Sequence, residues 1–298
     1  VNKKYGYLFI SPPKTNNKKT YQQVMSKRPW SGHWYPFSQD SIYSGKNSPL
    51  YKFDRLVNKL GYESSSQKHE KEIHSYFNAS SWEGLCDAWS LASVTTPEPQ
   101  KPLSINGINF TISDLKALIT YASLKRSYIQ YGITYKGNHE TDGTYQDIRP
   151  EAFHKIVTSI IGEENRPIII DDMSGVQVWN KPMFRYRWLI ENDMQYENAV
   201  KITGYPWLIK ERNQETSKKT STEDIISPVY YYRLFFDPET KDKDGRFLVI
   251  ASQWIGASQK DHPDNVKVPT LNQTIGSHNS DFNKHLDIFK TYILNNLK

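Results

Sequence analysis

Cysteine is almost absent from this chain of 298 residues, in which Cys86 stands alone. A disulfide within the chain needs two cysteines, and a zinc site built from several cysteines needs more, so both are excluded. No apolar run approaches the roughly 20 residues that a transmembrane helix requires. Arginine-rich helices and the aromatic motifs of RNA-binding domains are also missing, which makes nucleic acid an unfavoured partner.

Aromatic residues, by contrast, are plentiful, with 20 Tyr, 12 Phe and 8 Trp. The hydrophobic fraction of 37% is enough for a large core and argues against disorder. Tyrosine and tryptophan suit grooves that bind peptide or sugar, but more often they fill half-buried layers. The net charge of +6 is spread along the chain and singles out no partner.

Hydrophobic periodicity and turn signals predict mainly helices in the first half of the chain and strands in the second. We therefore predict an α+β fold, in which the helix that carries Cys86 packs on an antiparallel, β-rich C-terminal half. Residues 1–28 are predicted to form an N-terminal arm and residues 29–298 one domain, with a candidate lobe boundary near 210–224. The predicted helices cover 83–94, 113–124, 149–162 and 281–297, and the predicted hairpins cover 103–110 and 230–254.

Cys86 falls in the first turn of the predicted helix over 83–94. The N-terminus of a helix favours negative charge and lowers the pKa of a thiol there, which would make Cys86 a candidate nucleophile. Its own backbone N–H could help to stabilise an oxyanion. The alternative is a small buried hydrophobe, which is the commoner fate of a free cysteine.

A cysteine nucleophile needs a general base and a group that orients the base. His154 is the preferred base, because it lies at helical spacing with apolar residues; a hydrogen-bonded core histidine is the alternative. Asp171 and Asp172 follow a buried isoleucine run, where a carboxylate is costly without a partner. These residues suggest a Cys–His–Asp constellation. The rival bases are His33, His139 and His262.

Metal sites are less well supported by the sequence. His262 and Asp264 lack a third ligand at helical or hairpin spacing. The segment 237–245 imitates a calcium loop, but Thr240 occupies its first ligand position. We expect no metal and no cofactor.

Several segments, taken together and in order, resemble the transglutaminase-type elicitor family of oomycetes, which has bacterial relatives. The segments are PWSGHWYP (29–36), WEGLCDAWSLAS (82–93), INGINFTISDLKALI (105–119), DIRPEAFH (147–154), IIIDDMSGVQVWNKP (168–182), GRFLVIASQW (245–254) and DHPDNVKVP (261–269).

The resemblance implies a protein–glutamine γ-glutamyltransferase, an acyltransferase with a papain-like or transglutaminase-like catalytic arrangement. Cys86 would be the nucleophile, His154 the base and Asp171 the third triad member, with Asp172 as the alternative. The positions that match the family in a substrate-groove or supporting role are Trp82, Trp34, His33 and Asn180. We then expect Cys86 Sγ within roughly 4–5 Å of a ring nitrogen of His154, with Trp82 or Trp34 in the groove wall.

Asp87, Ser90 and Lys181 depart from the family pattern, which disfavours recognition by plant receptors. The resemblance favours a secreted effector or virulence factor, whose signal segment is absent from this chain or whose export is non-classical. Its expected partners are proteins with accessible glutamine and lysine, without stable insertion into a membrane. The alternatives are a glutamine deamidase or cysteine protease with the same residues, or a non-catalytic interaction module with a decayed site.

Overall fold

A computed structural model describes residues 6–14, 19–24, 27–39, 41–74, 79–133, 147–173, 177–213 and 219–297. Helices pack against a large sheet in which every strand pairing is antiparallel. The predicted α+β class is therefore confirmed.

The strands lie mainly in the second half of the chain, as the sequence predicts. Both predicted hairpins form, as β3–β4 and β10–β11. The strands are β1 (Phe9–Ile10), β2 (Lys19–Val24), β3 (Leu103–Ile105), β4 (Ile108–Phe110), β5 (Tyr128–Gly132), β6 (Ile168–Asp171), β7 (Asn180–Asn192), β8 (Ala199–Ile209), β9 (Ile225–Ile226), β10 (Tyr230–Lys241), β11 (Phe247–Trp254) and β12 (Asn265–Pro269).

The helices agree with three of the four predicted spans to within a few residues. A wide π-helical turn, Thr158–Glu163, follows the third of these helices, Pro150–Val157. The helices are α1 (Pro49–Lys59), α2 (Ser66–His74), α3 (Cys86–Thr95), α4 (Ile112–Tyr121), α5 (Pro150–Val157), α6 (Ser280–Lys284) and α7 (Leu286–Ile288).

The closing helix predicted over 281–297 forms in part, because it is interrupted at His285. α6 ends at Lys284, and the chain resumes as α7, followed by a π-helical turn and a 3₁₀ turn. Asp281 accepts the backbone N–H of Ser65, and the His285 ring bonds the carbonyl oxygen of Glu63. These contacts tie the end of the chain to the loop between α1 and α2, a tertiary interaction that helical periodicity does not report.

The ten-stranded sheet runs in the order β1-β11-β10-β8-β7-β6-β12-β5, with β2 on β7 and β9 on β8. The two strands of the predicted N-terminal arm thus belong to the sheet, since β1 pairs with β11 and β2 with β7.

One face of the sheet carries α3. Paired residues on antiparallel strands point to the same face, and Asp171 is opposite both Asn180 and Asn265. The Asn180 side chain contacts Cys86 in α3. Lys267, two residues beyond Asn265, lies on the same face because side chains alternate along a strand. We call this surface the α3 face.

The opposite surface, the α5 face, carries α5. A register shift between Met183 and Arg185 adds one residue to β7, so the alternation reverses along this strand. Trp188 consequently points away from α3 although Asn180 points toward it. His154 of α5 stacks on Trp188 and bonds to Tyr232.

Candidate functional site

Cys86 is the first residue of α3, as the sequence predicts for a residue in the first turn. No side chain caps this end of the helix. The first N–H groups of a helix have no partner within it, so backbone donors surround the start of α3. A negative charge on Cys86 would therefore be favoured by the helix end.

Gly84 explains how the start of α3 is held. Its backbone forms an isolated antiparallel bridge with Pro36, and the N–H of Leu85 donates to the carbonyl of Trp34 at 2.5 Å. A Cβ at position 84 would lie 2.7 Å from the Trp34 oxygen and 2.8 Å from that of Tyr35. Only glycine allows this close approach of the two segments.

The Cys86 thiol is buried, with 8% of the residue exposed. Asn180 Nδ2 donates to Sγ at 3.5 Å, and Sγ lies 3.6 Å from the carbonyl oxygen of Val178. Burial raises the pKa of Cys86, whereas the hydrogen bonds of Asn180 act to lower it. Asn180 Oδ1 is buried and has no hydrogen-bond partner within the described part of the chain. Asn180, predicted as a groove or supporting residue, thus lies in contact with the thiol.

Asp171 lies directly opposite Asn180, on the α3 face. Its carboxylate accepts the backbone N–H of Trp179 at 2.9 Å and the amide of Asn265 at 3.4 Å. Burial raises the pKa of Asp171 to about 6. Asp171 is thus an ionisable group near neutrality on the face that carries the thiol.

Asp172 points to the other face. Its carboxylate accepts from Lys181 Nζ at 2.7 Å, and burial raises its pKa despite this ion pair. The alternation of the two carboxylates brings Asp171, and not Asp172, to the side of Cys86.

His154 is not brought to Cys86. Its Nδ1 forms a 2.7 Å hydrogen bond with the Tyr232 hydroxyl on the α5 face, so the sheet separates it from the thiol. It is 5% exposed and borders a cavity of about 350 Å³ that Trp188 also lines. Burial lowers the pKa of His154 to about 3, so the ring is neutral at physiological pH. The predicted Cys86–His154 contact is therefore wrong, because α5 packs on the opposite side of the sheet from α3.

The other predicted bases are placed as follows. Nδ1 of His33 is 3.0 Å from the carbonyl oxygen of Arg212, so it carries the proton and leaves Nε2 as the basic nitrogen. His33 is buried, and burial lowers its pKa. His262 stacks on Trp254 and pairs with Asp147 on the α5 side of the sheet. His139 lies outside the described residues.

Trp34 packs beside the segment that contacts the thiol. The indole of Trp34 packs against Trp179 with ring centroids 5.9 Å apart, and Trp179 is flanked by the two residues that contact Sγ, Val178 and Asn180. A role for Trp34 in a groove wall stays a prediction. Trp82 is half-buried, four residues before Cys86.

Lys267 is a site residue that the sequence reading missed. Its ammonium lies 2.7 Å from Asp87 Oδ1, although only 4% of Lys267 is exposed. The charge on Lys267 acts to lower the pKa of Cys86 and of Asp171. The signal was the alternation Asn265–Val266–Lys267–Val268, in which polar residues share one face of a buried strand.

In the described part of the chain, no group of three or more histidine, cysteine, aspartate or glutamate residues could hold a metal ion. Nor does any described helix have the length and apolar character needed to cross a membrane.

Comparison with known proteins identifies the family. The profile described as transglutaminase elicitor matches residues 52–222, more than half of the chain. The chain belongs to the transglutaminase elicitor family. Among solved structures, this family member is similar to the GP42 transglutaminase from Phytophthora sojae, with a TM-score of 0.69, 19% identity and coverage of 91% of each chain. At this identity the likeness supports a common fold. A search of curated proteins found no match.

Proposed function

We propose that the protein is a transglutaminase-type acyltransferase with Cys86 as its nucleophile. The observation that carries the proposal is the environment of the thiol in a member of this family. Cys86 opens a helix, contacts Asn180 and faces the same side of the sheet as Asp171. A thiol, a carboxamide and a titratable carboxyl group on one face supply a nucleophile, a polar contact and a base for acyl transfer.

In the first half of the proposed reaction, Asp171 accepts the thiol proton and the thiolate attacks the side-chain carboxamide of a protein glutamine. The carbon–nitrogen bond breaks, ammonia leaves with that proton, and a thioester remains on Cys86. In the second half, a lysine amine attacks the thioester and the carbon–sulfur bond breaks. Asp171 transfers the proton that the amine loses to the departing sulfur, which restores the thiol.

Asn180 supplies a contact for the substrate. A buried carbonyl oxygen without a partner is costly, and Asn180 Oδ1 is such an atom beside Sγ. The carboxamide N–H of a bound glutamine would satisfy it. We assign Asn180 the role of orienting the acyl donor. His154 is not the proposed base, because it lies across the sheet from Cys86.

The experiment is incorporation of a labelled primary amine into a glutamine-rich protein, followed by mass spectrometry. We expect wild-type protein to form the amide and Cys86→Ala to form none. Conversion of glutamine to glutamate without amine would instead favour the deamidase reading, and backbone cleavage the protease reading. An inactive wild type with an unreactive thiol would favour the interaction module.

We further propose that the protein is secreted and acts as an effector on extracellular proteins with accessible glutamine and lysine. The family to which it belongs supports this proposal. Cross-linked products should then appear in culture medium of the producing cells and should be lost in a Cys86→Ala strain.

A further inference from the structure

The ion pair between Lys267 and Asp87 is partly buried, unlike a surface salt bridge. Lys267 is almost fully buried, while the side chain of Asp87 is 40% exposed. Burial acts to lower the pKa of Lys267, but the Asp87 carboxylate, together with Tyr128 and Cys86, acts in the opposite direction, and the pKa is raised. Lys267 therefore keeps its charge inside the protein, next to the residue that follows Cys86.

The titratable groups around Lys267 lie on β5, α3 and β6. The Tyr128 ring of β5 lies with its centroid 4.9 Å from Nζ, and Asp87 reaches Nζ from α3. Asp171 of β6 shares the α3 face, one strand away. Lys267 is thus a buried cation near a thiol and two carboxylates, and its charge acts on Cys86 and Asp171.

We infer that Lys267 is a positioning residue whose ammonium charge stabilises the Cys86 thiolate, and that Asp87 holds this ammonium in place while partly cancelling its field. The catalytic role of Lys267 rests on the proposed function, but its effect on the ionisation of the Cys86 thiol does not. The thiol is buried, and a nearby cation is the most direct way to offset the cost of ionising it there.

The test is the pH dependence of alkylation by iodoacetamide, which reports Cys86 alone because the chain has one cysteine. The midpoint of the rate profile gives the ionisation of the thiol, and the plateau at high pH gives its accessibility. Lys267→Met should move the midpoint upward by about one pH unit or more, because an opposite charge nearby shifts a pKa by that amount. Alkylation at pH 7 should then be about tenfold slower or more.

Asp87→Asn should move the midpoint in the opposite direction. This change keeps an oxygen to accept from Lys267 Nζ but removes the negative charge beside the thiol. Lys181→Met is the matched control, since Lys181 is also buried in an ion pair but lies on the α5 face. Its midpoint should equal that of the wild type.

Opposite shifts in the two variants would support the inference. Shifts in the same direction, or plateau changes with an unmoved midpoint, would overturn it and assign the pair a packing role. If Lys267→Met does not fold, Asp87→Asn alone decides, because a structural role predicts no fall in its midpoint. Opposite shifts in a protein without amine transfer would leave this inference standing and reject the proposed function.

Discussion

The orientation of two adjacent carboxylates decides which of them lies on the same face as Cys86. Asp171 and Asp172 differ by one position, yet one shares a face with Cys86 and the other pairs with Lys181 across the sheet. We predict that Asp171→Asn lowers the rate of amine transfer about 100-fold or more, as loss of a general base does. Asp172→Asn should reduce it only a few-fold. Equal, small losses in steady-state assays would reject Asp171 as the base.

The pH profile gives a second view of Asp171. Its pKa of about 6 means that the carboxylate becomes protonated, and unable to accept a proton, as the pH falls through 6. We expect kcat/KM to fall about tenfold per pH unit below that value. If the residual activity of Asp171→Asn falls at acidic pH in the same way as that of the wild type, the group that titrates is not Asp171.

His154 should affect stability rather than chemistry. Its pKa is about 3 in the folded protein and about 6.5 in an unfolded chain, so the unfolded state binds the extra proton between these values. Stability due to this group is therefore present above pH 6.5 and is lost as the pH falls toward 3. His154→Asn keeps a polar atom near the Tyr232 hydroxyl and removes the titration.

Denaturation curves at pH 7 and pH 5 should accordingly differ less for His154→Asn than for the wild type. Amine transfer at pH 7 should stay within a few-fold of the wild type. Loss of activity in a folded variant would return His154 to the catalytic set.

At the scale of elements, the close approach of Gly84 to the segment 34–36 sets the start of α3. We predict that Gly84→Ala costs about 1–3 kcal/mol of unfolding free energy, because its Cβ would collide with two backbone carbonyls. It should also lower amine transfer by shifting Cys86. Gly276→Ala is the control, because its Cβ would meet mainly flexible side chains at 3.1 Å or more. Equal melting temperatures for both variants would contradict this account.

The same scale shows what the sequence could and could not predict. The start of α3, the hairpins and the opposite orientation of Asp171 and Asp172 follow from local periodicity, which is visible in the residues themselves. The face on which α5 packs does not, because it depends on long-range pairing. The extra residue between Met183 and Arg185 reverses the alternation of β7, and the local sequence pattern does not predict it. The predicted contact between His154 and Cys86 fails because α5 packs on the opposite face of the sheet from α3.

For the molecule as a whole, the sheet joins β1 and β2 to strands of the C-terminal half. Leu8 and Ile10 are buried, and both border the cavity beneath Trp188. We predict that deletion of residues 1–28 lowers the melting temperature by several degrees and exposes apolar surface, measured by dye binding, because β1 and β2 are removed from the sheet. An unchanged melting temperature would mean that these strands dock without stabilising the fold.

The central claim is that Cys86 becomes acylated. The most direct test incubates the protein with a blocked glutaminyl peptide without amine, quenches it with acid and analyses the cysteine-containing peptide by mass spectrometry. The account predicts an adduct of the peptide minus ammonia on Cys86 that hydroxylamine removes. Active protein without such an adduct, or Cys86→Ser with wild-type activity, would contradict it.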